Sequence, residues 1–139
     1  FIKGQIMVNE AEAIRIAKNS LKQASSELKH LKDESTRNSK IDVNNHHITQ
    51  CIHHLNNACV YIDCVDGRFK YGQRSVIFPD TKLCYTDIDI SISYLKLALE
   101  ELNLAEKELS SPYIHIHYDY HIGRCGYHVH NTYTELKYL

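Results

Sequence analysis

The chain has 139 residues, 43% of them apolar and 24% charged, ordinary values for a globular domain rather than a disordered or fibrous one. Sixteen basic side chains against seventeen acidic ones leave a net charge of -1 with His neutral. That balance argues against a nonspecific nucleic-acid coat or a membrane-surface protein, both of which need a basic excess. No apolar run approaches the ~20 residues of a membrane span. Ten His, ten Tyr and no Trp are the compositional oddities.

The chain opens at Phe1, and its one methionine is Met7. Residues 1–8 read as a scar or a disordered end, with Met7 as a native start, and 9–139 as one domain. Five cysteines, Cys51, Cys59, Cys64, Cys84 and Cys125, form an odd, irregular set without a C-x-x-C pair. They read as reduced thiols in a cytoplasmic setting.

Three segments carry a helical period. Asn9 caps the first, about 10–32, with Glu12 three residues on. Its stripe is Ile14, Ala17, Leu21, Ala24, Leu28 and Leu31. The second, about 44–65, carries Ile48, Ile52, Leu55, Cys59 and Ile62, and stops at Asp66-Gly67. Residues 68–85 contain Val76-Ile77-Phe78 before Pro79, which fits a short strand or an irregular loop. The third helix, about 87–110, takes Thr86 as its cap and buries Ile88, Ile92, Leu95, Leu99, Leu102 and Leu109. Nearly opposite that stripe lie Ile90, Leu97 and Leu104, recurring every seven residues as a helix–helix contact does. The C-terminal segment covers this second stripe, or another chain does.

From Tyr113 to Ile122 apolar and polar residues alternate, which is the strand signature, and Gly123-Arg124-Cys125-Gly126 has turn composition. The expected fold is therefore α+β and predominantly α: an antiparallel three-helix bundle with a C-terminal β-hairpin, about 113–134, packed on it. The hairpin register sets His121 opposite His128 and Asp119 opposite His130, with His117 one step along. Its tyrosine-rich face turns inward, its imidazoles turn outward, and Cys125 at the turn is the exposed thiol.

Imidazoles with one carboxylate are ligands for zinc or another divalent transition metal, so Asp119, His121, His128, His130 and His117 form a candidate metal site. An open coordination position there would support hydrolysis. His47, Cys51 and His54 on the second helix, at i, i+4, i+7 spacing, form a second, weaker candidate. Clustered His could also act as a pH switch. Phosphate loops, nucleophile elbows and zinc-protease helices are absent from the sequence. The favoured reading is a non-catalytic interaction protein, an adaptor, assembly subunit or inhibitor. It would self-associate or bind a partner macromolecule through Ile90, Leu97 and Leu104 and the His/Tyr hairpin. A metal-binding protein or metal-dependent hydrolase is the alternative.

Overall fold

A computed structural model describes residues 9–65, 82–110 and 116–138. Within them four helices follow one another: α1 (Glu10–Glu34), α2 (His46–Val65), α3 (Tyr85–Leu109) and α4 (Ile116–Glu135). A two-residue antiparallel pair joins β1 (Ile41–Asp42) to β2 (Lys82–Leu83), with Ile41 opposite Leu83 and Asp42 opposite Lys82. The molecule is thus mostly helical, and its small sheet lies mid-chain. The residues 66–81 that include Val76-Ile77-Phe78 lie outside the described ones, as do residues 1–8.

Local chemistry sets the helix starts. The Asn9 side chain accepts the Glu12 N–H at 2.8 Å, as an N-cap should. Asn45 does the same for the His47 N–H at 2.8 Å. At α3 the cap is Cys84 rather than Thr86. The Asp87 carboxylate accepts the Cys84 N–H at 2.5 Å, so a carboxylate in the first turn fixes where the helix begins.

The expected C-terminal hairpin is overturned: Ile116–Glu135 is one continuous helix, so the three-helix bundle becomes a four-helix arrangement. Two periods coexist in this stretch. The alternation of Ile116, Tyr118, Tyr120 and Ile122 is real, and Tyr127, Val129 and Tyr133 resume it after the glycines. Tyr118, Ile122, Cys125, Val129, Tyr133 and Leu136 recur at steps of three and four, and all six are buried on one stripe. The helix buries six large or apolar side chains, each worth about 1.5–3 kcal/mol for a large aliphatic. It also bonds its own backbone, which an isolated hairpin does poorly. Gly123 and Gly126, read as turn residues, sit inside the helix without positive φ. Their helix cost, about 1 kcal/mol apiece, is outweighed by the burial.

Cross-helix bonds give the directions. Asn57 donates to Ser20 at 2.7 Å and His47 meets Glu27 at 2.8 Å, so α1 and α2 are antiparallel. Lys18 pairs with Glu106 at 3.1 Å and Lys32 with Asp89 at 2.6 Å, so α1 and α3 are antiparallel as well. Glu101 meets His121 and Arg124, and Tyr94, earlier on α3, meets His128, later on α4, so α4 returns along α3. The Tyr133 hydroxyl donates to Asn56 at 2.6 Å, tying α4 to α2, while that of Tyr138, just past α4, donates to the Val43 carbonyl, just past β1, at 3.1 Å. The order is up, down, down, up: two helix pairs, α1/α2 and α3/α4, joined through α1 on α3 and more lightly through α2 on α4. The β1/β2 pair sits at the end where α1 finishes and α3 begins, with Ile41, Val43 and Leu83 buried beneath it.

Candidate functional site

Successive residues of a helix turn by about 100°, and that rotation redistributes every expected C-terminal ligand. His117, His121, Arg124 and His128 fall on one flank of α4. Asp119 and His130 fall on the far side. The cross-strand pairs His121/His128 and Asp119/His130 therefore do not exist, because the hairpin that would form them is a helix. His117 and Asp119 are exposed, His130 is half-buried, and His128 is buried. On α2, Cys51 points into the core, and burial pushes its thiol well up, whereas His47 turns to carboxylates of α1 and His54 is half-buried. Among the described residues no group of three His, Cys, Asp or Glu side chains could hold a metal ion. Cys125 is not an exposed thiol either. It is fully buried on the inner stripe of α4, and desolvation raises its pKa well above the usual thiol range.

The flank of α4 that faces α3 carries the charged and aromatic chemistry. Glu101 accepts from Arg124 Nε at 3.1 Å and lies 2.6 Å from His121 Nδ1, clamping two turns of α4 to one residue of α3. The Arg124 guanidinium lies 5.6 Å from the Tyr120 ring centroid. One turn further on, His128 packs between Tyr94 of α3 (6.5 Å between centroids, near parallel) and Tyr127 of its own helix (5.8 Å). His128 is 6% exposed, and neither of its ring nitrogens has a hydrogen-bond partner. Burial, then the nearby Arg124 charge, hold its pKa below the usual imidazole value, while Glu101 and Glu100 pull the other way.

Outside this seam lies the surface that sequence reading found only in part. Ile90, Leu97 and Leu104 are 42%, 41% and 40% exposed, so the C-terminal segment does not cover them. Around α3 the order is core stripe, the α4-facing flank of Asp87, Tyr94 and Glu101, then these three residues. Around α4 it is core stripe, the α3-facing flank of His121 and His128, then Tyr120 and Tyr127, 57% and 60% exposed. Both rows therefore border the outer side of one seam. Among the described residues these five are the exposed large apolar side chains, and all five share this face. The strand period turns Tyr120 and Tyr127, seven apart like the α3 row, inward. A helical count from the buried Ile122 would have placed them outward.

No helix among the described residues is long and apolar enough to cross a membrane. Comparison of the chain with protein-family models, curated proteins and solved structures returned no match.

Proposed function

We propose that this protein works by contact, through the outer face of α3 and α4, and that its partner there is a second copy of the same chain. The observation that carries the reading is the convergence of Ile90, Leu97, Leu104, Tyr120 and Tyr127 on one face, while among the described residues α1 and α2 expose no large apolar side chain. Large exposed apolar patches mark interaction sites on otherwise ordinary surfaces. Tyrosine is among the residues enriched where two proteins meet.

The seven-residue step supports self-pairing. Three apolar positions at equal intervals are self-complementary under a two-fold axis through Leu97, which sets Ile90 of one copy against Leu104 of the other. Two helices side by side offer a face about 30 Å long and about 20 Å wide, close to the ~800 Å² per partner of a standard interface.

Light scattering of the intact chain over a range of concentrations tests the reading. A mass of twice the 16.1 kDa protomer is expected, falling toward one protomer on dilution. A 16.1 kDa species at every concentration would contradict it.

A further inference from the structure

Charge on the His128 ring has nowhere to go. The imidazole sits mid-seam between the Tyr94 and Tyr127 rings with both nitrogens unbonded. A neutral ring tolerates that setting at the cost of unmade hydrogen bonds. An imidazolium does not, because it must place two N–H donors and a full charge. The titratable and charged groups facing it among the described residues are Tyr94, Glu100 and Glu101 from α3, and Arg124, Tyr127 and His121 from its own helix. Glu101, the acceptor in this seam, is already held by His121 and Arg124, and Arg124 repels a second cation.

We propose that His128 is the proton-sensitive element of the α3/α4 seam: protonation loosens the two helices and with them the contact face they carry. The geometry stands on its own, whereas the consequence for assembly rests on the contact reading above. Because the folded midpoint is depressed by burial and by Arg124, the contribution is complete above the unfolded midpoint of about 6.5. It is lost as pH falls from there through the folded midpoint, at up to about tenfold in the folding constant per pH unit. At the end of the same seam Glu135 works in the opposite sense. Burial and the adjacent Asp87 raise its pKa, so acid strengthens that contact, and only a comparison with a His128 variant isolates the imidazole.

The test uses the intact chain, wild type against His128→Leu and His128→Gln, with denaturant unfolding and light scattering at pH 7.5 and 5.0. An NMR titration of the wild-type imidazoles accompanies it. His128 is expected to titrate below pH 6.5, and the wild-type folding constant to fall several-fold more than that of His128→Leu between the two pH values. The NMR midpoint and His128→Gln carry the test if the leucine variant does not fold. A His128 midpoint at or above 6.5, or a parallel acid response in wild type and variants, would overturn the inference. A chain that is monomeric at pH 7.5 yet shows the His128-specific acid loss supports the seam inference and sinks the contact reading. A dimer equally acid-sensitive with and without His128 does the reverse.

Discussion

The α1/α2 pair and the α3/α4 pair are built alike and present opposite surfaces. Each is two antiparallel helices with a histidine of the second bound to a glutamate of the first: His47 to Glu27, and His121 to Glu101. On α1 and α2 the exposed positions include Lys22, Gln23, Lys29, His30, His46 and His53, and among the described residues none of them is a large apolar side chain. On α3 and α4 they include the five large apolar side chains of the seam. Packing of the core explains both pairs equally well. It does not explain why one pair alone keeps apolar side chains in water, and that asymmetry is the reason to assign function to the second.

The pairs differ in their protons too. His47 lies between Glu27 at 2.8 Å and Glu34 at 3.2 Å, and these carboxylates, Glu27 first, raise its pKa. His128 faces rings and a guanidinium, and its pKa is lowered. Acid therefore favours the His47 contact and disfavours the setting of His128.

The largest expected effect separates the two sides of α4. Measured on the dissociated protomer, Ile122→Ala should cost about 2–5 kcal/mol, because it opens a hole in the buried stripe, whereas Tyr120→Ala should change stability by less than about 0.5 kcal/mol. A hairpin puts both residues on one face and predicts similar losses, so denaturant unfolding of the two variants decides between them. Next, Tyr133→Phe should cost about 1 kcal/mol, since it removes the 2.6 Å bond to Asn56 that ties α4 to α2. Gly123→Ala should stabilise by about 0.5–1 kcal/mol if the site is helical, and destabilise if it is a turn needing positive φ. Melting curves read the sign directly.

The smallest effect sharpens the proton comparison. His47 has a raised folded midpoint, so its contribution is fully present below pH 6.5 and fades as pH rises through that midpoint. His47→Gln should erase this dependence, seen as a smaller wild-type advantage at pH 8 than at pH 6.

The first three helices were legible because each carries an unbroken 3.6-residue stripe; Ile14 to Leu31 shows it best. The fourth was not, because it satisfies two periods at once. Ile116, Tyr118, Tyr120 and Ile122 alternate, Tyr127, Val129 and Tyr133 resume the alternation, and a Gly-Arg-Cys-Gly run resembles a turn, while Cys125 and Leu136 fit the helical stripe alone. Length separates the two, since a stripe sustained from Tyr118 to Leu136 is long for a strand and ordinary for a helix. The site divided along the same line. Ile90, Leu97 and Leu104 were readable from spacing alone, whereas Tyr120, Tyr127 and the burial of His128 depended on knowing that α4 is a helix.

The contact face is tested most directly by adding one negative charge to each pair at an exposed position: Leu97→Asp on α3 and Gln23→Asp on α1. Sedimentation equilibrium of the two variants beside wild type should show Leu97→Asp as a folded protomer and Gln23→Asp associating as wild type does. Equal behaviour of the two variants would contradict the assignment of function to the α3/α4 face.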